Sequence, residues 1–98
     1  MKRPVVLHPE ARSEIGSAAL WYEDRSAGLG SDFMRLVETA FAQIERTPEQ
    51  FPVVHAPIRR LLLRRFPFAI YFVEFEDVTR VLACIHVRRD PKRWLRRA

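Results

Sequence analysis

Cysteine is nearly missing from this chain: Cys84 stands alone. One thiol closes no internal disulfide and builds no cysteine metal cluster, and a reducing compartment is the default for such a chain. Histidine offers no metal site either, because His8, His55 and His86 lie far apart and show no ligand spacing. No apolar run approaches the roughly 20 residues of a membrane-spanning helix. The stretch Val5-Val6-Leu7, behind a basic start, is far too short for a secretory signal. Internal repeats and low-complexity tails are missing too. These absences set the expectation of a cytoplasmic protein with no metal, no cofactor and no membrane partner. Lysine is scarce (Lys2 and Lys92), and no tyrosine follows Tyr71.

Arginine carries the positive charge instead, and it is concentrated in the second half. Residues 58–98 hold eleven Lys/Arg against four acids, whereas residues 1–57 hold six against eight; the whole chain is +5. A guanidinium is a flat fork of donors that fits phosphate and carboxylate in a bidentate way, which lysine does not. A basic half beside a near-neutral half points to a nucleic acid or an acidic protein as partner. The 98 residues, 48% of them hydrophobic, suffice for one core and one domain spanning 1–98.

Periodicity divides the chain into elements. Val5–Leu7 reads as a short strand. His8-Pro9-Glu10 opens a helix, because proline suits a first helical position whose N–H has no partner anyway. Ala11, Ile15, Ala18, Ala19 and Tyr22 then recur at helical spacing. Gly28-Leu29-Gly30 breaks this helix, and Ser31 and Asp32 stand where a cap and an acidic first turn belong. A second helix carries Leu29, Phe33, Leu36, Val37, Ala40 and Ile44 on one stripe and stops at Thr47-Pro48. Residues 48–57, with three prolines, read as an ordered loop. Strands follow at Ile58–Arg65, Phe68–Phe75 and Thr79–Arg88, separated by Phe66-Pro67 and Glu76-Asp77, spacers short enough for antiparallel hairpins. Asp90-Pro91 signals a last helical turn. The order β-α-α-β-β-β, with a short terminal α, predicts an α+β fold: a helical hairpin on one face of a small antiparallel sheet, the first strand at its edge, the other face partly open.

Strand alternation assigns faces. Arg59, Leu61, Leu63 and Arg65 share one side of their strand; Ile58, Arg60, Leu62 and Arg64 share the other. In the last strand Val81, Ala83, Ile85 and Val87 form an apolar side expected under the helices. That puts Leu82, Cys84, His86 and Arg88 opposite, with His86 and Arg88 projecting on the open side.

With these residues in order, the chain resembles the RelE/ParE superfamily of toxins from bacterial type II toxin–antitoxin modules. The matching pieces are Val6-Leu7-His8-Pro9-Glu10-Ala11, Trp21-Tyr22-Glu23, Gly28-Leu29-Gly30 with Phe33, Ile58-Arg59-Arg60, Arg65-Phe66-Pro67-Phe68, and His86-Val87-Arg88-Arg89-Asp90-Pro91 with Trp94. They span essentially the whole chain. The Phe-Pro-aromatic hairpin followed by His-x-Arg-Arg-Asp-Pro is the most specific pair. The resemblance implies a β-α-α-β-β-β fold and a growth inhibitor neutralised by a cognate acidic antitoxin. It implies one of two activities, poisoning of DNA gyrase in ParE-like members or ribosome-dependent mRNA cleavage in RelE-like members. The His-x-Arg-Arg-Asp ending is closer to the ParE-like branch. An inactive relative of the fold, acting only through partner binding, is a third reading, since fold does not fix function.

A metal-independent endoribonuclease needs a base for the 2′-hydroxyl, a cation for the phosphorane and an acid for the leaving oxygen. His86 can be base or acid, and Arg65 and Arg88 can hold the phosphate. RelE-like nucleases commonly rely on several lysines and arginines and a late tyrosine; this chain has only Lys2 and Lys92 for lysine and no tyrosine after Tyr71. Under a binding-only mechanism, Arg59, Arg60, Arg65, Arg88 and Arg89 are the candidates for gripping target or phosphate. The plainer alternatives stand beside these. His86 can be a strand-end histidine bonded to the backbone, His8 a helix cap, and Cys84 a small buried apolar residue. The strand arginines can be edge protection or ion pairs to the acidic half, Arg88 or Arg89 can pair with Asp90 or Glu74, and Lys92, Arg93, Arg96 and Arg97 can be a solvated terminal face.

Overall fold

The computed structural model describes residues 3–89 and 92–98, with the backbone alone at 92 and 93. The elements run β1 (Val5–Leu7), α1 (Pro9–Arg25), α2 (Leu29–Arg46), a 3-10 turn (Pro48–Gln50), β2 (Val53–His55), β3 (Ile58–Leu62), β4 (Phe68–Glu74), β5 (Thr79–His86) and α3 (Lys92–Leu95). The five strands form one sheet in the order β1-β5-β4-β3-β2. β2, β3, β4 and β5 pair antiparallel in succession; β1 lies at the edge and runs parallel to β5, so the sheet is mixed. The architecture is therefore α+β, two helices packed on a five-stranded sheet. No helix among the described residues is long and apolar enough to cross a membrane. Asp90-Pro91, the expected start of the terminal helix, lies outside the described residues.

The caps explain where the helices begin. His8 Nδ1 accepts the Glu10 N–H at 3.1 Å, so His8 is the cap of α1. At the start of α2, Asp32 lies in the first turn as expected, but Ser31 is not the cap. Gly28 takes a φ of +89°, a left-handed turn that glycine adopts without Cβ strain. The cap comes from the preceding helix: the Glu23 carboxylate accepts the N–H of Gly28 at 2.9 Å and of Gly30 at 3.0 Å. A negative group there also meets the positive end of the helix dipole. Gly30 is buried where α1 and α2 cross, and a Cβ on it would lie 2.5 Å from the Ala19 carbonyl oxygen.

The expected helical stripes are buried: Ala11, Ile15 and Ala18 on α1, and Phe33, Val37, Ala40 and Ile44 on α2. They pack on Leu61, Ile70, Phe72, Val81 and Cys84 of the sheet. Tyr22 and Phe33 meet Phe66 edge-on, at 4.7 and 5.3 Å between ring centroids, and pin the β3–β4 hairpin beneath the helices. At the hairpin tip Arg65 takes a φ of +68°, a conformation that costs a non-glycine residue about 1–2 kcal/mol.

One expectation about the strands is corrected. β2 adds a fifth strand inside the proline-rich loop, pairing Val53 with Arg59 and His55 with Ile58. The far face is open only in part, as expected, with Leu62 55% exposed there. It carries a second cluster, Ile58, Ala69, Tyr71, Val73, Leu82, Ala83 and Ile85, which Trp94 covers. The Trp94 ring stacks on Tyr71 at 4.5 Å and is 4% exposed.

Candidate functional site

The site begins with a bulge. Tyr71 pairs with Ala83 and Phe72 with Val81, which leaves Leu82 as an extra residue on β5. One inserted residue exchanges the two faces of everything after it. Val81 faces the helices, but Ala83 and Ile85 then turn to the far face, and Cys84 and His86 turn toward α1. The predicted continuous side Val81-Ala83-Ile85-Val87 is therefore interrupted, and His86 and Arg88 project toward α1 rather than away from it.

β1 covers only the first part of β5. Its register ends at Leu7 opposite Val81, and the His8 N–H bonds the Val81 carbonyl at 2.8 Å before the chain turns into α1. From residue 82 onward the outer edge of β5 has no strand beside it among the described residues. Side chains take part of the backbone there: Glu14 accepts the Cys84 N–H at 3.0 Å, and Arg97 donates to the Leu82 carbonyl at 3.0 Å. Between this edge and α1 opens a groove of about 840 Å³. Its floor and walls include Ala18, Tyr22, Phe68 and Ile85, and its polar groups are Ser13, Ser17, Glu14, His86, Arg88 and Arg89. Trp21 stands at the rim, 53% exposed, with the Arg25 guanidinium 4.1 Å above its ring.

His86 is held by its surroundings. Its ring lies 5.7 Å from Phe68, and its Nδ1 accepts the Arg88 N–H at 3.1 Å. With Nδ1 engaged by the backbone, Nε2 is the ring nitrogen that a bound group would meet. Arg88 and Arg89 are exposed in the turn after β5, and a pairing of either with Asp90 falls outside the described residues. Cys84 is buried beneath the groove; burial first, and the Glu14 charge second, push its thiol up to about 12. That leaves it an unreactive core residue.

The remaining candidate arginines lie elsewhere. Arg59 turns inward on the helix-side face, 3.1 Å from the Glu74 carboxylate, and also donates to the carbonyls of Phe51 at 2.7 Å and Glu49 at 3.3 Å. Arg60 sits across from Tyr71 on the far face, its Nε buried without a partner among the described residues. Arg65 occupies the hairpin tip, 3.6 Å from Asp32, which Arg35 also bonds. That Arg35 hydrogen bond, with the charges of Arg35 and Arg65 behind it, holds the Asp32 carboxyl below its ordinary range. The structure thus brings His86, Arg88 and Arg89 to one groove and distributes Arg59, Arg60 and Arg65 over three other places.

Sequence reasoning missed Glu14 and Arg97. Arg97 is not part of a solvated face: 11% of its side chain is exposed, 2.7 Å from Glu10 and 3.0 Å from Glu14. The available signal was the pair Glu10 and Glu14, four residues apart on α1, which puts two carboxylates on one side of a helix.

No protein-family model matches this chain, and no curated protein matches it. Among solved structures it is similar to a chain of the chromosomal ParDE toxin–antitoxin system from P. aeruginosa, with a TM-score of 0.74 at 14% identity. The match covers 87% of this chain and 96% of that one. A two-helix hairpin on this sheet, superimposable over nearly the whole of both chains, identifies the architecture as the RelE/ParE-like fold.

Proposed function

We propose that this chain is the toxin of a type II toxin–antitoxin module, acting by ParE-like poisoning of DNA gyrase and held inactive by a cognate acidic antitoxin. The observation that carries the reading is the fold shared with the ParDE-system chain over 87% of the length. The groove supports the partner. It presents Arg88 and Arg89 beside an apolar, aromatic floor, and it borders a β5 edge that no strand among the described residues covers beyond Val81. An acidic segment that is disordered when free and orders on contact suits both features. The residue set supports binding over chemistry, because the chain offers two lysines, Lys2 and Lys92, and no tyrosine after Tyr71.

A supercoiling assay with purified gyrase tests this directly. Loss of supercoiling or trapped cleavage complexes at modest excess of protein is the expected result. Growth arrest with gyrase untouched at high excess would refute the gyrase target. The ribosome-dependent endoribonuclease remains the second reading, favoured by the nearness of His86 and Arg88, an acid and a phosphate ligand in one groove. Primer extension on translating ribosomes distinguishes it: new 5′ ends on induction, lost in His86→Ala with Arg88→Ala, would replace the gyrase reading.

A further inference from the structure

Among the described residues that line the α1–β5 groove, Glu14 is the one acid, and it shares the lining with His86, Arg88 and Arg89. Its position is fixed, because one oxygen accepts the Cys84 N–H at 3.0 Å. Left alone, a pinned carboxylate there cancels one of the two exposed arginine charges. It is not left alone. Arg97 approaches from outside the lining, its Nη2 3.0 Å from Glu14 and 2.7 Å from Glu10. Its Nη1 bonds both Glu14 at 3.1 Å and the Leu82 carbonyl at 3.0 Å.

We propose that Arg97 is a charge-setting residue for this groove: by neutralising Glu14 from behind, it leaves Arg88 and Arg89 to determine the sign of the field and makes the groove selective for anionic peptides. The inference rests on the reading that the groove receives an acidic partner, and it names the residue that tunes that reception without touching the partner. A unit charge several ångströms from a ligand charge, at a half-exposed site, alters affinity by about three- to tenfold. The effect is electrostatic, so it fades as added salt shortens the screening length.

The test uses the full chain and a fluorescein-labelled octaglutamate, with affinity read by anisotropy at low salt and thermal melts confirming each variant folded. Arg97→Ala should weaken binding by about three- to tenfold, and Arg97→Lys, which keeps the charge, should stay within about twofold of the parent. Glu14→Gln should tighten binding. The double variant Arg97→Ala with Glu14→Gln should return to within about twofold of the parent, a rescue that lost packing cannot produce. A double variant that binds no better than Arg97→Ala overturns the proposal, as does an Arg97→Ala indistinguishable from the parent. Should Arg97→Ala fail to fold, Glu14→Gln decides, and its failure to tighten binding overturns the proposal. Octaglutamate that does not bind the parent chain refutes the acidic-partner reading itself; binding that ignores Arg97 refutes only the charge-setting role.

Discussion

Replacing Gly30 by alanine adds one methyl group at the tightest point between the two helices. The new Cβ would stand 2.5 Å from the Ala19 carbonyl oxygen and 3.0 Å from both Cβ and Oε1 of Glu23. Carbon–oxygen contacts settle near 3.3–3.6 Å, so α1 and α2 must part by about one ångström where they cross. Overpacking of this kind costs about 1–3 kcal/mol. Moving Glu23 also loosens the two bonds it accepts from Gly28 and Gly30, at about 1 kcal/mol for a lost helix cap. Alanine recovers about 0.5–1 kcal/mol through its better helix propensity. The net loss is about 2 kcal/mol, which lowers the Tm of a domain this size by roughly 8–16 °C. Gly16, also helical but with nothing within 4 Å of its added Cβ, is the comparison. Gly16→Ala should gain about 0.5–1 kcal/mol. Urea titrations of both variants, with unchanged m-values, provide the measurement. A Gly30→Ala protein within about 0.5 kcal/mol of the parent, or a Gly16→Ala protein equally destabilised, would refute the close-crossing argument.

Arg59→Ala should destabilise by about 2 kcal/mol in chemical denaturation, because it removes a partly buried ion pair with Glu74 and two bonds to the carbonyls of Glu49 and Phe51; a change under 0.5 kcal/mol would mean the pair is solvent-screened. Trp94→Ala should cost about 3–5 kcal/mol, and retention of parent stability would show that the Tyr71 stack contributes little. The Cys84 thiol, raised by burial to about 12 from 9.0, stays protonated in the fold while the unfolded chain ionises; stability should therefore decline as pH climbs from 9 toward 12, and Cys84→Ala should flatten part of that decline. Asp32 runs the other way: with its folded pKa held below 3.8, its contribution is present above that pH and fades as acid protonates it, so Asp32→Asn should make the parent's acid-induced destabilisation shallower.

The sequence made the order of elements readable because each was punctuated by residues with a backbone reason: Pro9 at a helix start, Gly28 in a left-handed turn, Phe66-Pro67 and Glu76-Asp77 between strands. The helical stripes were equally plain, since a 3.6-residue period can be counted along the chain. β2 was hidden because Val53–His55 lies between Pro52 and Pro57, residues that mark loops in sequence yet tolerate a short edge strand. The groove was hidden by Leu82. A bulge is a matter of pairing register, which depends on two strands at once, and no pattern within β5 announces it. Arg97 read as solvated because charges at a chain end usually are; its partners lie more than eighty residues earlier, on the first helix.

Glu23 belongs to α1 yet closes the first turn of α2. Neither helix can fray at the shared corner without exposing the other's backbone, so the pair should open to hydrogen exchange as one cooperative unit, with the amides of Gly28 and Gly30 slowing and quickening together with those near the end of α1.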